Sequence, residues 1–257
     1  MHIAMIASEA VPFVKTGGLA DVLGALPKAL ARLGHHVTLI LPYYNRIRAD
    51  HFNIKDTKKK ARAYIDGRDR DAEIFRINVA TNVDVLLLKH DNYYAREELY
   101  QTKEGDYPDN AVRFGFFAKT ALRAIETMGL EVDVLHAHDW QAALALYFAR
   151  TIFRNSPVAR AKTILTIHNI GYQGLFPAQA LTALGLGLDH FTMERLEFYG
   201  RVNFLKGGII AADAVTTVSP THARELMTEE MGFGLEGVLA AHRNALSGIV
   251  NGIDYDE

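Results

Sequence analysis

The sequence predicts an α/β fold built on a mostly parallel, doubly wound sheet, and three observations predict it. Short apolar, strand-like runs recur at residues 3–7, 37–41, 132–135, 163–167 and 214–218. Segments with helical spacing of apolar residues lie between them. Polar clusters directly follow several of the strands. Strands alternating with helices give a parallel sheet covered on both faces.

Taken in order, residues 3–7 form the first strand. The helix over 19–33 follows from apolar residues at 19, 22, 23, 26, 30 and 33. Pro27 interrupts that pattern and predicts a kink, and Gly34 marks the end. After the second strand the character changes. Alternating stretches at 61–65, 73–79 and 83–88 flank the polar turn Asp66-Gly67-Arg68-Asp69, which reads as strands joined by tight turns, in or beside the main sheet. Pro108-Asp109 opens a helix whose apolar face carries Phe114, Phe117, Ala121, Ile125 and Met128, with Gly129 as its stop. Trp140 begins the next helix, running to about Phe153. Ser219-Pro220 is a helix-start pair after the strand at 214–218. Residues 247–250 form a last short strand.

Composition narrows the function. The 257 residues are 49% hydrophobic and 23% charged, enough for one large α/β domain or two small ones. A net charge of -2 gives no reason to expect nucleic acid or an anionic membrane as partner. Lys58-Lys59-Lys60 is diluted by neighbouring aspartates and reads as a solvated loop face. The chain has no cysteine, which removes disulfides, a thiol nucleophile and a Cys-zinc site. No signal peptide or membrane-spanning run is evident, so a cytoplasmic protein is expected.

Lys15-Thr16-Gly17-Gly18 falls between the first strand and its helix. Glycines there let a ligand approach the backbone, helix N–H groups favour an anion, and Lys15 adds a charge suited to phosphate. The spacing fits neither a Walker A loop nor a G-x-G-x-x-G fingerprint. An ordinary glycine turn with a surface lysine is the plain alternative. His136-Ala137-His138-Asp139-Trp140, His168-Asn169 and Asn251-Gly252-Ile253-Asp254 each follow a predicted strand. In open parallel sheets, ligands bind along that carboxyl edge. Each cluster also has a simpler role: His136 and His138 as packed histidines, Asp139 as a helix N-cap, Asn251-Gly252 as a turn. A metal at His136-x-His138 lacks a further ligand cluster, so none is expected. G-x-S-x-G is absent.

These residues resemble the N-terminal half of bacterial glycogen synthases and plant starch synthases, retaining glucosyltransferases with two Rossmann-like domains in the GT-B architecture. The resemblance runs in order through Lys15-Thr16-Gly17-Gly18-Leu19-Ala20-Asp21-Val22, Asp106-Tyr107-Pro108-Asp109-Asn110, His136-Ala137-His138-Asp139-Trp140 and Thr166-Ile167-His168-Asn169-Ile170-Gly171-Tyr172-Gln173-Gly174. It continues through Glu197-Phe198-Tyr199-Gly200, Asn203-Phe204-Leu205-Lys206-Gly207-Gly208, Thr217-Val218-Ser219-Pro220-Thr221 and Asn251-Gly252-Ile253-Asp254.

The resemblance implies one Rossmann-like, acceptor-side domain over residues 1–257. It implies ADP-glucose as donor substrate, no cofactor, and an α-1,4-glucan such as glycogen, starch or a maltooligosaccharide as acceptor. Lys15, Gly17 and Gly18 would face the donor phosphates, and Tyr100 would lie near the donor. Asp139, His168 and Asn251 would surround the transferred glucose, with Asn169 in support. Asp21 would be structural. The family continues into a second, nucleotide-binding domain, so this chain alone is expected to be inactive; in a plant the setting would be a plastid. ADP-glucose against UDP-glucose stays open. A non-catalytic glucan-binding module and a nucleotide-binding oxidoreductase domain are the other readings.

Overall fold

The computed structural model describes residues 1–252. The first unit is β1 (His2–Ile6), α1 (Gly18–Arg32) and β2 (His36–Pro42). Residues Ile3 to Ile6 are all buried, as expected of a central strand covered on both faces. Pro27 sits inside α1 without ending it. Gly34, at φ +86°, closes the helix: its N–H reaches Ala31 O, and His35 N–H reaches Leu30 O.

Next come β3 (Lys55–Ile65), β4 (Arg68–Ala80) and β5 (Val83–Lys89). The turn between β3 and β4 is tighter than the sequence reading. Asp66 and Gly67 alone make it, both with positive φ, which matches the twist of the strands they join. Arg68 and Asp69 already belong to β4. The lysine run is solvated as expected but lies on β3, where the pairing with β4 is irregular between Asp56 and Lys60. This region extends the main sheet, because β5 pairs in parallel with β2.

The second half contains α2 (Asn110–Met128), β6 (Val134–His138), α3 (Asp139–Arg150), β7 (Lys162–Ile167) and α4 (Phe204–Ala211). It ends with β8 (Ala214–Thr217), α5 (Pro220–Glu225), α6 (Glu236–Ala241) and β9 (Leu246–Gly248). Gly129 in the left-handed region stops α2, and the Ser219 side chain caps α5 by accepting from His222 N–H. Gly208 lets α4 press onto α3: a Cβ there would fall 2.7 Å from Ala143 Cβ. Two helices differ from expectation, one at its start and one at its end. Pro108 lies outside α2, and Asp109, at the cap position, makes no capping bond. The helix beginning near Trp140 ends at Arg150, short of Phe153.

The nine-stranded sheet has the order β9-β8-β7-β6-β1-β2-β5-β4-β3. From β9 to β5 every pairing is parallel; β4 and β3 add an antiparallel wing. The chain leaves β1 towards β2 on one side and later returns to β6 on the other. Right-handed crossovers then put α1 on one face and α2, α3 and α4 on the opposite face. The reversal of strand order opens a crevice beyond the carboxyl ends of β1 and β6, which is where such sheets bind ligands.

Candidate functional site

The crevice is built first by Asp139. β6 runs on through His138, so His136 and His138 lie on the strand and not, as the sequence reading had it, beyond its end. Period-two geometry puts both rings on one face, with centroids 4.1 Å apart. The helix α3 starts at the next residue. Asp139 absorbs the change of direction with φ +55°, a region that aspartate tolerates better than most residues. Its side chain does not cap α3. Instead Oδ1 crosses to the end of β7, accepting the N–H groups of His168 at 2.7 Å and Asn169 at 3.3 Å. Burial pushes this carboxyl up to about 7, against the pull of the two N–H donors and with Glu9 adding to the rise.

Three imidazoles back this junction. His138 Nδ1 lies 3.1 Å from His168 Nε2, and His136 Nε2 lies 2.7 Å from Thr166 Oγ1. Burial pushes His168 down to about 4 and His136 to about 3, and it holds fully buried His138 well below the usual histidine range. All three are neutral at pH 7. Asn169 spends its Oδ1 on Gly171 N–H at 3.0 Å, holding the turn that follows β7.

A second cluster follows β1. Glu9, buried and not singled out by the sequence reading, accepts from Thr16 N–H, from Thr16 Oγ1 at 2.8 Å and from Gly17 N–H at 3.3 Å. Tyr100 donates its hydroxyl to Glu9 at 2.9 Å, which leaves Ser8 Oγ, 2.7 Å away, to donate to the Tyr100 oxygen. Tyr100 itself is held from behind. Asn110 Nδ2 donates to Tyr100 O at 2.9 Å, and Tyr107 N–H to the same oxygen at 3.1 Å. Fully buried Arg113 donates to Tyr93 O, Leu99 O and Asn110 Oδ1 at 2.7, 3.0 and 2.7 Å. The Asp106–Asn110 motif is therefore the scaffold of the Tyr100 loop.

The structure thus brings Asp139, His168 and Asn169 together at β6 and β7. It gathers Tyr100 and Gly17 around Glu9, whose charge reaches Asp139. The glycine loop differs from an empty anion cradle: Gly17 N–H is committed to Glu9, whereas Gly18 N–H has no protein partner among the described residues. Lys15 pairs at 2.7 Å with Asp21, both half exposed, beside a cavity of about 230 Å³ lined by residues 11–15 and Arg46. Asn251 is exposed just after β9, two strands from β7, and bonds none of the other candidates. Ile253 and Asp254 lie outside the described residues. Among the described residues no three His, Asp or Glu side chains form a metal-holding group, and no helix is long and apolar enough to cross a membrane. Glu9 could have been flagged only from its fold position, two residues beyond the first predicted strand; its residue type alone carries no signal.

A parallel sheet with hydrogen-bonding groups beside its switch point is the arrangement of a ligand-binding α/β domain. The chain belongs to the family described as the starch synthase catalytic domain, whose model matches residues 2–241. It is 45% identical to glycogen synthase 2 of Geobacter sulfurreducens and 45% identical to the glycogen synthase of Koribacter versatilis, each over 258 residues. Both alignments take in 100% of this chain and 53% of the relative, so the chain spans about half the length of the curated relatives it matches. The catalytic domain of starch synthase IV from Arabidopsis thaliana, solved bound to ADP and acarbose, superposes with a TM-score of 0.91 at 33% identity. That match covers 99% of this chain and 52% of the solved one, and it agrees with the mostly parallel architecture described above.

Proposed function

We propose that this chain is the N-terminal, acceptor-side domain of a retaining glucosyltransferase. It transfers glucose from ADP-glucose to the non-reducing end of an α-1,4-glucan, together with a second, nucleotide-binding domain of similar size. The observation that carries this reading is the convergence of Asp139, His168 and Asn169 at the carboxyl ends of β6 and β7, beside the β1/β6 switch point, in a chain of this family. The ADP and acarbose of the solved relative support a nucleotide and a glucan as ligands.

The chemistry fits what the side chains offer. Retention without an enzymic nucleophile needs the donor phosphate to leave and the acceptor to attack on the same face of the sugar. The departing phosphate takes the acceptor's proton. The protein's task is then to hold both substrates and meet developing charge with fixed dipoles. His168, neutral, hydrogen-bonds the transferred glucose. Asp139 fixes the backbone of His168 and Asn169 and turns its second oxygen to the crevice. Gly18 N–H and Lys15, once released from Asp21, are the donors left for the phosphates; Gly17 contributes open space, since a Cβ there or at Gly18 meets nothing within 4 Å. Tyr100 orders the donor side through Glu9, and Asn251 closes over the sugar. The reaction uses neither metal nor cofactor, and the setting is cytoplasmic.

The test is glucose transfer from ADP-glucose, and in parallel from UDP-glucose, to maltooligosaccharide. It is measured for this chain alone and with the second half of a full-length relative added in trans. Transfer only with the added half, abolished by His168→Ala, is the expected result. Glucan binding with no transfer under any complementation would make this a binding module instead.

A further inference from the structure

We propose that His138 is a positioning residue that fixes the tautomer of His168. It donates its Nδ1–H to His168 Nε2, so that His168 carries its own proton on Nδ1 and offers the ligand a donor. The inference rests on the reading of His168 as the ligand-facing histidine.

Both rings are neutral, so the 3.1 Å contact between His138 Nδ1 and His168 Nε2 needs one donor and one acceptor. His138 decides which. The residue is fully buried, and its Nε2 has no hydrogen-bond partner. If Nε2 carried the proton, a buried N–H would be orphaned, the rarer and costlier arrangement. With the proton on Nδ1, only a bare lone pair is left buried without a partner, and the N–H is satisfied by His168.

Turning the His138 ring over would put Cδ2 where Nδ1 now meets His168 and lose the contact. The His136 ring packs 4.1 Å from His138 and is itself tied to Thr166 Oγ1, which lies 2.7 Å from Thr216 Oγ1. On the other side, His168 is anchored through its backbone N–H to Asp139 at 2.7 Å. His168 Nδ1 has no protein partner and is not among the buried unpaired atoms, so it is the nitrogen open to the crevice. The ligand atom it meets must then be a lone-pair oxygen, such as a sugar hydroxyl or a phosphate oxygen accepting a hydrogen bond. An N–H donor of a ligand would be rejected there.

Imidazole ¹⁵N spectra of the 257-residue chain at pH 7 test the assignment directly, with His168→Gln identifying the signals. The expected pattern is a protonated Nδ1 and an unprotonated Nε2 on His168. His138→Asn, whose amide nitrogen stands near the original Nδ1, should keep that pattern; His138→Leu should give a mixture of tautomers. A protonated Nε2 on His168 in the unsubstituted chain overturns the proposal even if neither variant folds. So does an unchanged pattern in a folded His138→Leu chain. In the complemented transferase, His138→Leu should lower kcat about tenfold or more, with the loss restored by His138→Asn. The nitrogen spectra do not depend on turnover. The expected tautomer in a chain that transfers no glucose defeats the assigned function alone, and the reverse pattern in an active enzyme defeats this inference alone.

Discussion

The two ends of the nine-stranded sheet spend their polar groups differently. In the antiparallel wing, charges meet at the surface: Arg62 bonds Asp71 at 2.7 Å, Arg76 bonds Asp84 at 2.7 Å and Lys58 bonds Asp56 at 2.8 Å. At the carboxyl edge of β1, β6 and β7, Glu9, His138 and Asp139 are buried and tied to backbone or to neighbouring side chains. A surface pair is solvated whether or not it forms. A buried group must find a partner or destabilise the fold, so its geometry is fixed. The wing is therefore expected to tolerate change, and the edge to keep its geometry.

The largest test of that contrast is Arg113→Met. It strips partners from Tyr93 O, Leu99 O and Asn110 Oδ1 in the interior, at about 1–3 kcal/mol for each unsatisfied group. We expect a loss of about 3 kcal/mol or more in urea unfolding, together with disorder of the Tyr100 loop by hydrogen exchange. A loss under 1 kcal/mol would mean that water replaces the guanidinium and that the scaffold is less closed than described.

Asp139 gives the next effect. Its carboxyl is raised from the usual range to about 7, so the folded chain holds a proton that the unfolded chain releases above about pH 4. This contribution makes stability fall as pH rises from about 4 to 7 and then level off. Asp139→Asn keeps an acceptor oxygen and removes the titration. Its stability relative to the unsubstituted chain should rise over that window; Asp139→Ala also removes the titration, so its difference should follow the same slope, displaced downward by about 1–3 kcal/mol for the lost acceptor. A flat difference for the Asn variant between pH 4 and 8 would break the assignment.

The histidines titrate in the opposite sense. Their lowered values mean that the unfolded chain binds protons that the folded chain refuses, so stability falls as pH drops below about 6.5. Each should contribute up to about 1.4 kcal/mol per pH unit until its folded value is reached. Replacing His136 with Gln should flatten the measured slope between pH 6.5 and 4. At the small end, Arg62→Ala in the wing should leave the urea unfolding midpoint nearly unchanged, and the more so in high salt.

The sequence made the parallel half of this fold readable because its signals are local. Apolar runs gave strands, Gly34 and Gly129 gave helix ends, and Ser219 gave a cap, each through chemistry within a few residues. The Asp139-His168-Asn169 grouping was legible as clusters after strands, since strand order brings such ends together. What stayed hidden were long-range choices of partner. Asp139 looks like a cap until β7 is seen to present two N–H groups to it. Glu9 and Arg113 have no local pattern, and their partners lie up to 91 residues away along the chain. The reading ends β6 too early because histidines read as polar, although a strand can bury a neutral histidine once one ring nitrogen is paired, as His138 Nδ1 is with His168.

The junction between β6 and α3 has no connecting residue: the strand ends at His138 and the helix begins at Asp139. A joint without slack cannot be retuned by length. One inserted residue would turn the helix by about 100° relative to the strand, and it would swing the carboxylate away from the two N–H groups that it now holds. Loops elsewhere on this edge can drift in length as the chain evolves or is redesigned, but this joint can change only by substitution.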